Sequence, residues 1–284
     1  NANGGITSVY QAGLQVSAYE LDLFGRLRSL DAAAQAQLLG AEANQQAVRI
    51  ALVAAVATTE VAVQADEALL KITRDTLASR EQSLSLVRQR FEGGITSEID
   101  LRAAESALQA ARVALAQTQR QRALDENALV LLLGSALPSD LPAPTGELAD
   151  FEPLAELPAG VPSEVLTRRP DVRQAEQQLA ATDANIDAAR AAFFPRITLT
   201  GSFGTSSSQL SNLFKNSVWS FAPSLVQPLF DAGRNRANLA QARAQRDIAT
   251  AQYEKAVQSA FREVADALAG RGALGEQLSA QAAQ

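Results

Sequence analysis

Arg90, Glu92, Glu98 and Asp100 crowd one short break in the chain, Arg90-Phe91-Glu92-Gly93-Gly94-Ile95-Thr96-Ser97. Carboxylates and guanidiniums this close can do two things: cap the helix ends beside them, or offer a docking point on an exposed tip. Catalysis asks for more than the chain supplies. Its 284 residues contain no histidine and no cysteine. That removes a histidine general base, thiol chemistry, disulfides and the usual zinc sites. There is no phosphate-binding glycine loop, and no carboxylate pair sits in an evident pocket. The expectation is a protein that is not an enzyme and uses no cofactor and no metal.

The elements around that break are long and helical. Val56, Val63, Leu70, Leu77, Leu84 and Phe91 recur at a step of seven before it, and Leu101, Leu108 and Leu115 do so after it. A seven-residue step keeps one apolar stripe on one side of a helix and lets helices supercoil. Gly93-Gly94 suits a helix stop, because glycine accepts the left-handed backbone that a stop requires. Ser97 can cap the return helix, with Asp100 closing a carboxylate version of the capping box. The spacing predicts an α-hairpin: a first helix from near Gly25 to about Gln89, roughly 100 Å long at about 1.5 Å per residue, and a return helix from about Glu98 to Leu133, stopped at Gly134. The first helix exceeds ordinary globular length, which suggests a coiled coil or helical barrel.

Composition agrees. Net charge is -6 and the isoelectric point about 4.9, with no basic run, so no nucleic-acid partner is expected. Hydrophobic residues make up 47% but aromatics only 5%; an alanine-rich interior suits closely approaching helices. No signal peptide and no 18-residue apolar run is apparent, so no transmembrane helix is expected. Transmembrane strands carry a weaker signal and stay open. The chain lacks methionine, including at its first position, and reads as a processed form or a fragment.

Alternation marks the strands. Tyr10, Ala12, Leu14, Val16 and Ala18 face one way, and Gln11, Gly13, Gln15 and Ser17 the other. Ile197, Leu199, Gly201 and Phe203 alternate with Thr198, Thr200, Ser202 and Gly204. Trp219, Phe221 and Leu225 alternate with Ser220, Ala222 and Ser224. The polar run Thr205 to Ser208 reads as a loop. Six of the ten prolines fall between Ser135 and Pro162, so 135–162 is a connector; it is either a plain linker or a belt across the helices, given Leu141, Leu148, Phe151, Leu154 and Leu157. Ser163 can cap a short helix to about Arg168. Pro170 and Asp171 open the next helix, whose stripe Val172, Leu179, Ile186 and Phe193 leads to Phe194-Pro195. A last helix follows Gly233-Arg234.

Two segments repeat. Leu23-Phe24 aligns with Leu229-Phe230, and Arg28 with Arg234, at one offset; both segments join a strand to a long helix. The junction residues of interest are Leu23, Phe24, Gly25, Pro195, Pro228, Phe230 and Gly233. The repeat divides the chain into 1–134, a first and partial unit; 135–162, the connector; and 163–284, a second unit. A helix and strand are missing before the first unit, and a second tip after the last, so truncation at both ends is expected. One discord remains: at this offset Leu14 and Val16 meet Ser220 and Ala222, not Trp219 and Phe221. A bulge near Pro223 would restore parity.

Three such strands leave exposed edges, which are a liability. Several chains closing one barrel would remove them, and Tyr10, Phe203, Trp219 and Phe221 suit the aromatic girdle of a membrane barrel. A soluble β-layer packed on helix ends is the alternative.

Five ordered motifs carry a resemblance. They are Tyr19 to Arg26; Arg88 to Ser97; Arg168-Arg169-Pro170-Asp171-Val172-Arg173; Phe193 to Leu199; and Gln227 to Arg234. Together they resemble the TolC-like outer-membrane efflux proteins, most closely the NodT-type lipoprotein branch that serves resistance-nodulation-division pumps, across nearly all of the chain. The resemblance implies a mainly α fold with membrane β-strands: a long α-helical hairpin within an α-barrel plus a share of a trimeric twelve-stranded β-barrel, internally duplicated. It implies a homotrimer in outer-membrane lipid of a Gram-negative bacterium, with a periplasmic α-helical extension. It further implies a passive exit duct for drugs and small molecules, joined by a periplasmic adaptor to an inner-membrane pump. By motif match, Arg90, Phe91, Gly93, Gly94 and Ser97 would contact that adaptor. The periplasmic aperture belongs to the second hairpin, so no gate residue is assigned. The alternatives are a channel for type I protein secretion or, from another class, a periplasmic coiled-coil adaptor, which should show a glycine-rich lipoyl-like domain.

Overall fold

The computed structural model describes residues 8–138 and 168–283. The belt alternative for the connector and the short helix at Ser163 fall on residues 139–167, outside the described residues. The element order is β1 (Tyr10–Leu21), α1 (Arg26–Glu92), α2 (Glu98–Leu133), α3 (Pro170–Ala191), β2 (Arg196–Ser207), a 3-10 turn (Leu210–Asn212), β3 (Ser217–Val226) and α4 (Arg234–Ala282). Two compact units result: residues 1–46 with 162–284, and residues 47–161. This division follows packing within the chain, whereas the division at 134 and 162 follows the repeat.

In the unit 47–161, α1 and α2 form an antiparallel hairpin. The heptad stripes meet as the periodicity requires: Leu84, Leu101 and Leu108 are buried together, with Leu77, Val87 and Ala104 packed on them. Val63, Leu70 and Leu129 are buried as well. Ion pairs flank the seam, Arg88 with Glu105 at 3.5 Å and Arg112 with Glu81 at 3.6 Å. Both partners of the second pair are half exposed, so it adds little to stability. The expectation of no helix apolar enough to span a membrane needs one qualification: α1 holds an 18-residue window of mean hydropathy 1.5. Alanine and valine raise that average even though Arg49 and Glu60 break the run.

In the other unit, β1, β2 and β3 form one antiparallel sheet in that order. The helices of this unit pack through small residues. Ala33, Ala36, Ala43, Ala181, Ala249 and Ala260 are buried, and Val172 is 2% exposed against Ala260, Tyr253, Val257 and Val264. A Cβ added at Gly40 of α1 would lie 3.5 Å from the Gln177 Cβ of α3. Alanine and glycine thus permit the close approach that the aromatic-poor composition implied. Pro170 is at the first turn of α3 with Asp171, as expected. Arg169 joins Asp171 at 2.7 Å and Glu263 of α4 at 2.6 Å. The hydrogen bond from Arg169, more than any other cause, holds the Asp171 carboxyl below its usual range.

Three expectations are corrected. Thr205, Ser206 and Ser207 are strand, not loop, because Tyr10, Gln11 and Ala12 pair with them across the ladder; backbone pairing overrides their polar character. α3 ends at Ala191, so Phe193 lies in the turn beyond it and is exposed. The bulge sits in β1, not near Pro223. The β2–β3 register runs unbroken through Leu199 and Pro223, while the β1–β2 register shifts between Val16 and Tyr19.

Candidate functional site

Hydrogen bonding sets the sheet's two faces. On one, the rungs read Leu14–Phe203–Trp219, Val16–Gly201–Phe221, Tyr19–Leu199–Pro223 and Leu21–Ile197–Leu225. On the other they read Gln11–Ser206, Gly13–Gly204–Val218, Gln15–Ser202–Ser220 and Glu20–Thr198–Ser224. The bulge makes this possible. Its extra residue turns Tyr19 and Leu21 onto the face that Leu14 and Val16 already occupy. It also settles the repeat's discord: with one extra residue in β1, the offset to β3 ahead of the bulge is one residue more, so Leu14 corresponds to Phe221 and Val16 to Pro223. Ala18, at the bulge, has φ 56°, a left-handed backbone that alanine adopts at a cost of about 1–2 kcal/mol. Its N–H donates to the Thr200 hydroxyl at 3.3 Å.

All four sequence-chosen aromatics, Tyr10, Phe203, Trp219 and Phe221, lie on the apolar face. Trp219 is 74% exposed and Leu14 82%. Phe203 and Trp219 are direct partners and Phe221 occupies the next rung on that face, so three of the four share two neighbouring rungs. Tyr19, Leu14 and Val16 belong to the same face and were missed as site residues. Tyr19 is invisible to an alternation count, which the bulge interrupts. From Tyr10 to Leu21 the strand rises about 36 Å. Tilted about 40°, it spans about 28 Å, close to the roughly 25 Å apolar band of a membrane barrel. On the polar face, Gly13 and Gly204 are opposite each other; a Cβ on Gly204 would meet the Ala12 carbonyl oxygen at 2.6 Å, so only glycine fits.

The strand–helix junctions converge. Phe24 stacks on Phe194 with centroids 4.7 Å apart. Arg26 donates twice to Glu20, at 2.8 and 2.6 Å, and Arg196 reaches the same carboxylate at 3.4 Å. Gln227 donates to the Phe193 carbonyl and Asn235 to the Ala192 carbonyl. Glu20, Phe24, Arg26, Phe194, Arg196 and Asn235, with Pro195, Pro228 and Arg234, border a cavity of about 240 Å³. Gly25 and Gly233 precede their helices with φ 78° and 83°, a conformation open to glycine. The helices therefore begin at Arg26 and Arg234, which makes Arg26, and not Arg28, the structural counterpart of Arg234. Asp231 accounts for the two extra residues: it accepts from the Gly233 and Asn235 N–H groups, and the Asn235 bond above all holds its carboxyl below the usual range. Leu23 is exposed at 62%, and Phe230 almost wholly so. Sequence singled out Phe24 but not its partner Phe194; their contact joins residues far apart in the chain.

The hairpin tip is built from backbone bonds. The Ile95 N–H donates to the Arg90 carbonyl at 2.8 Å and the Gly94 N–H to the Phe91 carbonyl at 2.9 Å, with Gly94 at φ 72°. This is the Schellman arrangement, so Gly94 is the left-handed residue and Gly93 the last turn. Ser97 caps α2 reciprocally with Asp100. The Ser97 and Thr96 hydroxyls donate to the Asp100 carboxylate at 2.6 and 2.8 Å and hold its pKa below the usual range. Arg90, Phe91, Gly93, Gly94 and Ser97 are all solvent-exposed. Ile95 and Ile99, each about four-fifths exposed, complete that surface and were not chosen from sequence.

The outer membrane efflux protein model matches residues 1–135 and 161–284. The chain is 51% identical over 278 residues to the solvent efflux pump outer membrane protein SrpC of Pseudomonas putida, covering 97% of this chain and 58% of that protein. It is 47% identical over 272 residues to the outer membrane protein OprJ of Pseudomonas aeruginosa, covering 95% and 56%. Among solved structures, it superposes on a membrane protein from Pseudomonas aeruginosa with TM-score 0.87 and 47% identity, over 96% of this chain and 64% of that one. The open state of the Neisseria gonorrhoeae MtrE outer membrane channel gives TM-score 0.87 and 41% identity, over 100% and 64%. The chain thus spans a little over half the length of the curated relatives it matches. Its fold is that of these channels, mainly helical with a share of a β-barrel. It belongs to the outer membrane efflux protein family and is an outer-membrane protein.

Proposed function

We propose that this chain forms part of a passive outer-membrane channel, the exit duct of a tripartite efflux pump. The observation that carries the reading is the sheet. One face is apolar and aromatic from the Leu14 rung to the Leu21 rung, the other polar, and β1 and β3 each leave an edge unpaired among the described residues. Such a sheet is stable in lipid only when its edges are closed. Closure by copies of the same chain, as a homotrimer with twelve strands, supplies the partners. α1 then runs in the periplasm despite its apolar window, because Arg49 and Glu60 interrupt that stretch.

The duct carries small drugs or solvents, the cargo that the relatives' names specify for them. The tip residues Arg90, Phe91, Gly93, Gly94 and Ser97, with Ile95 and Ile99, form the contact with a periplasmic adaptor and, through it, with an inner-membrane pump. Their exposure on a rigid Schellman turn supports this. The test is complementation. The full-length gene, returned to a host lacking its own channel, restores resistance to toluene and antibiotics and yields a trimer in detergent. Sensitivity unchanged, with the product a soluble monomer, would overturn the reading.

A further inference from the structure

We propose that these three strands select solutes by charge at one collar, the strand–helix junction, and that Arg196 sets the sign of that selection. The proposal rests on the channel reading above and adds to it a residue that discriminates among solutes. It starts from the polar face, which becomes the wall of the passage once the apolar face meets lipid. From Gln11 to Ser224 its rungs hold glutamine, serine, threonine, glycine, alanine and valine, and Glu20 is the one ionisable group. The Ser202 and Ser220 hydroxyls bond each other at 2.7 Å, so even the polar groups partly satisfy one another. Such a wall distinguishes anion from cation weakly.

Charge enters where the strands end. Glu20 accepts two bonds from Arg26, whose side chain is 24% exposed, so that pair is closed on itself. Arg196 begins β2 on the same face, pairs with Val226 in register, and lies 3.4 Å from the already committed carboxylate with its side chain 55% exposed. Asp22 and Arg234 border the same junction, with Asp22 paired to Arg28 at 3.4 Å; among Glu20, Arg26 and Arg196 themselves there are two guanidiniums to one carboxylate, and of these three Arg196 is the one that faces water. Repeated around a narrow passage with low-dielectric walls, one uncompensated cation per chain concentrates anions. Solutes bearing a carboxylate or phosphate are favoured there over cationic ones of equal size, while neutral solvents pass without discrimination.

The measurement is the chloride-to-potassium permeability ratio of the full-length protein in planar bilayers, taken from the reversal potential in a KCl gradient. Charges elsewhere in the passage set the absolute ratio, so the differences between variants are read. Arg196→Gln lowers the ratio by about two- to threefold, Arg196→Lys keeps it, and Ser202→Lys, which adds a cation to the neutral wall, raises it. An unmoved ratio in Arg196→Gln beside a raised one in Ser202→Lys overturns the collar. So does an equal shift in Arg196→Gln and Arg196→Lys, which marks a structural effect. A ratio that Ser202→Lys leaves unmoved takes the polar face off the passage and overturns the inference as well. No current from the unaltered protein would instead remove the channel reading beneath it.

Discussion

The hairpin and the sheet solve the same problem in opposite ways. In the hairpin each apolar stripe finds its partner within the chain: Leu84 meets Leu101 and Leu108, the helix stop is closed by backbone bonds, and the return helix is capped by its own Ser97 and Asp100. In the sheet the apolar face finds no cover among the described residues. Leu14, Phe203, Trp219, Phe221 and Leu225 are all more than half exposed. The hairpin is complete as a local structure. The sheet is a surface whose solvent is not water.

Five substitutions probe that contrast. The largest effect falls in the hairpin seam. Leu108→Ala removes a side chain only 5% exposed and costs about 2–5 kcal/mol, read as a drop in the hairpin's resistance to denaturant. Next is the sheet, where the two faces respond differently. Phe221→Arg places a charge at the middle of the apolar face and costs about 2–4 kcal/mol of membrane stability; Ser220→Arg, one residue away, costs little. Equal losses from the pair would make the faces equivalent and dissolve the contrast. Third, Ser97→Ala removes the cap of α2 and costs about 1 kcal/mol, seen as faster amide exchange confined to its first turn. The smallest is Ala18→Gly, which relieves the left-handed alanine at the bulge and stabilises the sheet by up to about 1 kcal/mol.

Acidification separates two places within the hairpin itself. Asp100 is held below the usual 3.8 by its hydroxyl and backbone donors. Its contribution is present above that value and lost as pH falls through the lowered one. Asp66 behaves in the opposite sense. Burial first, and the Asp125 carboxylate next to it, push its pKa above 3.8. Protonation there relieves both carboxylates, so as pH falls from above 3.8 this part of the hairpin is strengthened. Hydrogen exchange at falling pH, corrected for its intrinsic rate, should show protection lost near Asp100 and gained near Asp66 and Asp125.

What the sequence made legible follows from what is local. Step-seven leucines, Gly94, Ser97 with Asp100, Pro170 with Asp171, and the stop at Gly134 act within a turn or two, and each sits where its chemistry placed it. What stayed hidden depends on pairing across the chain. Polarity misassigned Thr205 to Ser207 as loop, because β1 determines where β2 ends. The bulge at Ala18 inverted the reading of Tyr19. The stacking of Phe24 on Phe194, and the bonds from Gln227 and Asn235 to the turn after α3, join segments that no periodicity links.

The channel reading turns on the sheet parting lipid from water, one face to each. The chain contains no cysteine, so an introduced thiol is unique once every cysteine elsewhere in the full-length protein is replaced by serine. Single substitutions along β3, from Val218→Cys to Leu225→Cys, made in the full-length protein in outer membranes, can be exposed to a charged, membrane-impermeant maleimide. Labelling is expected to alternate, strong at positions 218, 220, 222 and 224 and weak at 219, 221, 223 and 225. Uniform labelling along the strand, or the reverse alternation, would contradict a sheet that divides lipid from water.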